Sequence, residues 1–226
     1  MPSIALEDYL KAIYKVAELQ PDGTAGTSAI ADRLGVTRAS VAAMLRKLDE
    51  RGLVSHKPYR GVRLTPQGEG IAVEMIRRHR VIEAFLVQML DMPLEDVDAE
   101  AEVLEHAFSA DLVDRLWHKL GRPAHDPHGA PIPAPNELPS DERALLPLPD
   151  LPCGRVAMVA RLAAENVDQL RQLARHGLKP GVLVHRESDA RPDRVGCRID
   201  GTGRIQLERA LAQAVRVQDP GGLPGQ

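Results

Sequence analysis

Apolar residues in the N-terminal third of the chain recur at helical spacing in three segments separated by turn signals. Positions 6, 10, 13 and 17 form one apolar stripe, which predicts a helix that ends before the Pro-Asp-Gly turn at 21–23. A second segment, from about residue 27 to 34, stops at Gly35. A third begins after Thr37, a residue typical of helix N-caps, and runs to about residue 51. Two helices joined by a short turn containing Gly predict a helix-turn-helix.

The outward face of the third predicted helix combines small and basic side chains. Val41, Leu45 and Leu48 face inward at helical spacing, so the small residues opposite them allow close approach to a groove floor. Two short strands follow, at about 53–57 and 62–65, and their connection is basic. A helix-turn-helix followed by a basic wing predicts DNA binding rather than a solvated amphipathic helix. The predicted DNA-binding residues are Thr37, Arg38, Ala39, Ser40, Ala43, Arg46, Lys47, Lys57 and Arg60.

Helical periodicity continues through the middle third of the chain. Thr65 followed by Pro66 is typical of a helix start, and the apolar pattern extends that helix to about residue 90. His79 and Glu83 are four residues apart on it, which places both side chains on one face. An acidic helix and a further amphipathic segment at about 112–120 follow. These apolar helices are too many to bury one another within one chain, which predicts a helical homodimer.

The acidic helix carries the chemistry that stands out in this sequence. Glu102, Glu105 and His106 have the spacing i, i+3 and i+4, and Asp98 extends the same stripe. Residues 91–111 include eight Asp or Glu and no Lys or Arg, so no local cation neutralises them. Carboxylates grouped in this way disfavour their own ionisation unless a cation joins them. The stripe is therefore either a well-solvated acidic face or a metal-binding face.

Charge is distributed unevenly along a chain whose average is unremarkable. The 226 residues are 43% apolar and carry a formal net charge of −3, which by itself argues against a simple basic nucleic-acid binder. Residues 37–63, however, carry seven Lys or Arg against two Asp or Glu, which indicates a second surface with a different partner. There is no membrane-spanning apolar run and no signal peptide, so we expect no membrane association and a cytoplasmic protein. Cys153 and Cys197 are then expected to be reduced structural cysteines.

The C-terminal third has a different pattern from the rest of the chain. Proline is frequent from residue 123 to 152, which is typical of a stiff linker and marks a domain boundary. After it, short alternating segments predict strands, with one helix at about 166–176. A small β-barrel with one short helix fits this pattern. The last eight residues, rich in Gly and Pro, are expected to be disordered.

Taken in order, the motifs resemble the diphtheria toxin repressor family, and its manganese transport regulators above all. The resemblance covers essentially the whole chain. It implies a winged helix-turn-helix, a helical metal-binding and dimerisation domain and a C-terminal SH3-like domain. The matching stretches are LEDYL at 6–10, YRG at 59–61, RH at 78–79, EVLEH at 102–106 and PHGAPIP at 127–133.

The resemblance also implies a set of metal ligands. Iron-type members have Met and Cys where this chain has Asp8 and Glu102, and exchanging soft sulfur for carboxylate favours a hard cation such as Mn(II). Compact manganese regulators have Glu where this chain has Lys11, so their two-metal arrangement does not transfer intact. A second site would use Asp98, where iron-type members have His, and Gln169 with either Glu165 or Asn166. The implied ligands are Asp8, His79, Glu83, Asp98, Glu102, Glu105, His106 and Gln169.

We therefore expect a mainly α-helical protein with small β elements. The expected domains are a winged helix-turn-helix at residues 1–74, a helical metal-binding and dimerisation domain at 75–138, a linker at 139–152 and an SH3-like barrel from 153. The expected function is Mn(II)-dependent binding of double-stranded operator DNA by a homodimer that represses manganese uptake genes. The alternatives are an Fe(II)-responsive regulator and a metal-independent DNA-binding protein. No nucleophile motif, phosphate-binding loop or metalloprotease helix is present, so we expect no catalytic activity.

Overall fold

The computed structural model describes residues 4–18, 20, 22–56, 61–135, 137–138, 145–164 and 166–219. The chain divides into two compact units, each built from separate stretches of sequence. The first comprises Met1–His79, Glu105–Ala110 and Pro133–Pro139, and the second comprises Arg80–Leu104, Asp111–Ile132 and Ser140–Gln226. The predicted wing tip with Lys57 and Arg60, Glu165 and residues 220–226 of the predicted disordered tail lie outside the described residues.

The first unit contains the predicted winged helix-turn-helix. Its elements are α1 (Ile4–Glu18), α2 (Thr27–Leu34), α3 (Arg38–Glu50) and the antiparallel strands β1 (Val54–His56) and β2 (Val62–Leu64). The Thr37 side chain accepts a hydrogen bond from the backbone N–H of Ser40, which confirms the predicted cap of α3. Gly35 ends α2 in the left-handed conformation, where a side chain would be strained. Apolar residues from α1, α2, α3 and both strands form one core.

Three further helices follow the wing: α4 (Pro66–Leu90), α5 (Val97–Leu104) and α6 (Ala110–Lys119). The bounds of α4 confirm the prediction, whereas α5 is shorter than predicted. Glu105 and His106 lie in a turn after α5 rather than on it, so the expected helical stripe ends at Leu104. Tertiary contacts explain why the helix ends there. Glu105 is fully buried and bonded to residues from α1 and α4, a constraint that local periodicity does not encode.

The sheet domain lies within the second unit. Its strands are β3 (Leu146–Pro147), β4 (Val156–Leu162), β5 (Leu183–Arg186), β6 (Arg194–Ile199), β7 (Gly203–Glu208) and β8 (Val215–Gln218), with helices α7 (Val167–Arg175) and α8 (Arg209–Ala212). The strands form an antiparallel sheet in the order β3-β8-β4-β5-β6-β7. In the described part of the chain β3 and β7 remain edges, so the sheet is open rather than the closed barrel that was expected.

The sheet domain begins earlier than the proline pattern indicated. Leu148 and Leu151, both within the segment predicted as linker, are buried in the core of this domain, and β3 pairs with β8. Proline is compatible with a two-residue edge strand, which explains why composition alone misplaced this end of the segment. Both cysteines are free, Cys153 exposed and Cys197 buried. Burial raises the pKa of the Cys197 thiol to about 11. None of the helices in the described ranges is sufficiently long and apolar to span a membrane.

Candidate metal centre

Glu105 is the centre of a buried cluster in the first unit. Nζ of Lys11 donates to both of its carboxylate oxygens, at 2.8 and 2.7 Å. Nδ1 of His79 lies 2.7 Å from Oε2 of Glu105, and since a carboxylate only accepts, Nδ1 carries the proton. Burial raises the pKa of Glu105, but the His79 hydrogen bond and the Lys11 charge outweigh it, and the pKa lies below its ordinary value. Glu105 is therefore a carboxylate in this site.

The His106 imidazole lies between two carboxylates of α1. Its Nε2 is 2.8 Å from Oδ1 of Asp8, and its Nδ1 is 3.3 Å from Oε2 of Glu7. A proton on Nδ1 can be donated to Glu7, and in that tautomer Nε2 is the nitrogen available to a metal ion beside Asp8. This tautomer is the one that a metal-ligating histidine requires, with a second carboxylate fixing the ring. Glu7 was missed by the sequence analysis, and its only sequence signal is its position beside Asp8.

Three of the predicted ligands come together within the first unit. One ligand atom from each of Asp8, Glu105 and His106 lies within 4.8 Å of the others. Asp8 comes from α1, whereas Glu105 and His106 come from the turn after α5. Two carboxylates and one imidazole form a donor set of oxygen and nitrogen that fits a divalent cation of the first transition row. These residues therefore fit a divalent metal ion, without distinguishing manganese from iron.

A second buried cluster, in the second unit, surrounds Glu83. Nδ1 of His128 lies 3.2 Å from Oε1 of Glu83, and Nε2 of His128 lies 3.0 Å from the carbonyl oxygen of Leu94. Oδ1 of Asp126 accepts the backbone N–H groups of His128 and Ala130, at 2.9 and 2.8 Å. Nε of Arg80 lies 3.7 Å from Oδ2 of Asp126. Neither Asp126 nor His128 is among the ligands predicted from the sequence, although His128 belongs to the PHGAPIP motif and Asp126 directly precedes it.

Burial and the Glu83 charge control the ionisation of this second cluster. Burial raises the pKa of Asp126 to about 6, and the Glu83 carboxylate acts in the same direction. Burial lowers the pKa of His128, but the hydrogen bond and charge of Glu83 outweigh it, so the net pKa shift is upward. Nε2 of His128 can donate to the carbonyl oxygen of Leu94, and a proton on Nδ1 would be donated to Oε1 of Glu83. Glu83 is thus already engaged through one of its two oxygens.

The remaining predicted ligands have varied environments. Asp98 is exposed on α5, with a ligand atom within 4.8 Å of one from Glu83. Glu102 is also on α5 and exposed. Gln169 is half-buried in the first turn of α7, and its backbone N–H donates to the Asn166 side chain. Asn166 therefore has an evident structural role as the N-cap of α7, which leaves its predicted ligand role without added support.

The predicted DNA-binding residues of α3 are accessible. Thr37, Arg38, Ala39, Ser40, Arg46 and Lys47 are exposed and Ala43 is half-buried. The buried residues of this helix are Val41, Leu45 and Leu48, the three that periodicity assigned to the core. The first turn of α3 and its basic residues thus form a free surface of the kind that a recognition helix presents to a groove.

Comparison with known protein families covers nearly all of the chain. The model for the N-terminal DNA-binding domain of iron-dependent repressors matches residues 3–62, and the model for their metal-binding and dimerisation domain matches residues 65–134. A FeoA domain model matches residues 146–219. The chain belongs to the diphtheria toxin repressor family. It is a metal-dependent transcriptional repressor of the form that carries a C-terminal FeoA domain, which is SH3-like.

Relatives within this family are named for two different metals. The iron-dependent repressor IdeR of Mycobacterium tuberculosis is 33% identical over 94% of this chain and 96% of its own length. The regulator MntR of Lysinibacillus sphaericus is 35% identical over 51% of this chain and 81% of its own. A manganese-dependent transcriptional repressor solved in complex with manganese superposes with a TM-score of 0.86 at 34% identity, over 95% of this chain and 99% of that one. Family membership therefore leaves the choice between iron and manganese open.

Proposed function

We propose that this protein is a Mn(II)-dependent repressor that binds operator DNA as a homodimer and controls manganese uptake genes in the cytoplasm. The observation that carries the metal assignment is the donor set of Asp8, Glu105 and His106, which contains no sulfur. Carboxylate oxygen suits Mn(II), whereas sulfur ligands select softer cations. The solved manganese-dependent repressor similar to this chain supports the same assignment.

The ligand arrangement gives the metal a specific role in DNA binding. Asp8 lies on α1, which packs in the core of the helix-turn-helix, whereas Glu105 and His106 directly follow α5. When bound, a divalent cation supplies positive charge that these carboxylates can share. Through the metal, Asp8 would then connect α1 of the helix-turn-helix to the turn at 105–106. Glu7 would hold the His106 ring in its orientation. Metal acts by favouring the DNA-competent arrangement over others. Glu102, three residues before Glu105, remains a proposed ligand on sequence grounds.

Dimerisation is supported by apolar side chains that remain exposed in the second unit. Met89 and Leu90 at the end of α4 are 49% and 58% exposed, Val103 on α5 is 71% exposed and Leu112 on α6 is 40% exposed. Large exposed apolar residues on consecutive helices are typical of a protein interface. A two-fold dimer would present two α3 helices to two operator half-sites.

An Fe(II)-responsive repressor is the second candidate. The mycobacterial relatives named as iron-dependent repressors match this chain almost end to end. Proposed second-site residues Asp98 and Glu83 are carboxylates, which both metals accept. The two candidates predict the same fold and the same DNA-binding surface, so the metal dependence must be measured.

The decisive experiment is operator affinity across a series of metals. Fluorescence anisotropy with the promoter of a manganese transporter would be recorded in chelator and with Mn(II), Fe(II), Co(II) and Zn(II). Mn(II) at cellular concentration should tighten binding at least about 10-fold, which is a typical coupling free energy. His106→Ala should remove this gain, whereas His118→Ala, at an exposed position of α6, should retain it. Equal affinity with and without every metal would refute the proposal, and a response to Fe(II) alone would favour the second candidate.

A further inference from the structure

Lys11 is a buried cation inside the candidate metal centre. Its side chain is only 5% exposed, and its ammonium contacts both oxygens of Glu105 at 2.7 and 2.8 Å. The same nitrogen lies 3.2 Å from Nδ1 of His79. Two carboxylate oxygens and an imidazole nitrogen thus surround the ammonium at short range. These atom types are the ones that hold divalent metals in proteins.

The charges of the cluster favour one divalent cation. Glu7, Asp8 and Glu105 contribute three carboxylates within contact distance of His106 or Lys11, and Lys11 contributes one ammonium. With His106 neutral, as a metal ligand must be, the net charge of these groups is −2, or −3 with the proposed ligand Glu102, so a single divalent ion cancels all or most of it. A second divalent ion would leave excess positive charge in a site where Glu105 is fully buried. Uncompensated charge at low dielectric is strongly unfavourable.

A protonated lysine also differs from every metal ligand in having no lone pair. Lys11 can only donate hydrogen bonds, so it cannot ligate a metal beside Glu105 and His79 as a further carboxylate would. An ion placed against both of these residues would have to approach the ammonium directly and be repelled by it. The residues around Glu105 and His79 therefore do not fit a second metal ion, although Asp8, Glu105 and His106 fit one.

We propose that Lys11 is a built-in cation of the metal centre. Its ammonium holds Glu105, and through the hydrogen bond between Glu105 and His79 also His79, in position in the metal-free protein. It also restricts the centre to one divalent ion, beside Asp8 and His106. The restriction to one divalent ion rests on the proposed function, whereas the positioning of Glu105 and His79 in the metal-free protein does not. The centre is thereby preorganised, with one of its two cations supplied by the chain itself.

The metal-free role is tested by thermal unfolding of the full chain in EDTA. Lys11→Met removes the ammonium and leaves Glu105 buried without its partner, which should lower the Tm of the first unit by about 10 °C. Glu105→Gln added to Lys11→Met should recover much of that loss, because no buried charge then remains. Lys15→Met, one turn later on α1 and only partly buried, is the matched control and should change Tm little. A Lys11→Met protein as stable as the wild type would overturn this part.

The restriction to one ion is tested by counting Mn(II) with native mass spectrometry and by electron paramagnetic resonance. Lys11→Glu replaces the cation by a ligand, so it should bind one more Mn(II) per chain than the wild type and give the spectrum of a spin-coupled Mn(II) pair. If this variant is unfolded in EDTA, folding on addition of Mn(II) supports the proposal, and failure to fold counts against it. An unchanged ion count would also overturn it. Absence of saturable Mn(II) binding by the wild type would instead refute the proposed function, while the EDTA result would stand.

Discussion

Nδ1 of His106 lies 3.3 Å from Oε2 of Glu7, although the two residues are 99 positions apart in sequence. The contact fixes the imidazole so that Nε2 faces Asp8, 2.8 Å away. A carboxylate behind a ligating histidine both orients the ring and raises its basicity. Glu7 is therefore a positioning residue of the candidate metal centre rather than a ligand.

Glu7→Gln should weaken Mn(II) binding by about 10-fold, the lower end of the effect expected for a group of this kind. The amide can still accept a hydrogen bond, but it no longer raises the basicity of the ring. Competition with a fluorescent chelator would measure the affinity. Glu18→Gln, at the exposed end of the same helix, is the control and should leave the affinity unchanged. A wild-type affinity in Glu7→Gln would show that the contact does not orient the ligand.

Arg46→Ala should weaken operator binding in a salt-dependent manner. Arg46 is exposed on α3, beside the small residues predicted to approach the groove floor. If it contacts a phosphate, its loss should lower the slope of log affinity against log salt by about 1. Arg175→Ala, exposed on α7 of the sheet domain, should leave the slope unchanged. If Arg46→Ala also leaves the slope unchanged, Arg46 does not contact a phosphate of the operator.

The stabilising effect of Glu105 should depend on pH in the metal-free protein. The folded-state pKa of Glu105 is below its ordinary value, so its contribution is fully present above about pH 4.5 and is lost as pH falls through the folded-state value. At low pH the protonated residue resembles Gln. The difference in unfolding free energy between wild type and Glu105→Gln in EDTA should therefore shrink as pH is lowered from 6 toward 3. Urea titrations at each pH would measure it, and a constant difference would contradict the assignment.

The backbone at Gly129, in the PHGAPIP turn, packs closely against strand β4 within the second unit. Leu162 donates its backbone N–H to the carbonyl of His128 at 2.8 Å, and a Cβ at position 129 would lie 2.0 Å from the carbonyl oxygen of Ala160. Gly129→Ala must push these backbones apart and place a side chain at φ +90°. We expect a loss of about 3 kcal/mol in unfolding free energy, measured by urea titration.

Gly181→Ala separates the two causes of that loss. Gly181 has a similar φ of +88°, but a Cβ there would have no neighbour within 4 Å among the described residues. Only the backbone strain remains, so we expect a loss of about 1 kcal/mol. Equal losses in the two variants would mean that the close packing of Gly129 against β4 does not contribute to the loss of stability.

Local sequence patterns were sufficient for most of the secondary structure. The Thr37 cap, the Gly35 stop and the Pro66 start have the positions expected from them, because caps and turns depend on residues within a few positions. The end of α5 was predicted less well. Glu105 and His106 leave the helix at Leu104 because contacts with Lys11, His79 and Asp8 determine their positions.

The sequence by itself determined the family, the three kinds of domain, the acidic stretch as a metal-binding candidate and the presence of carboxylate in place of sulfur at two proposed ligand positions. All of these depend on residue identity and short-range spacing, or on similarity along the whole chain. Only the tertiary structure decided that Glu7 holds His106, that Lys11 neutralises Glu105, and that His128 and Asp126 surround Glu83. Those contacts join residues that are far apart in sequence. They matter for stability because the charges are buried, and charges buried together must compensate one another.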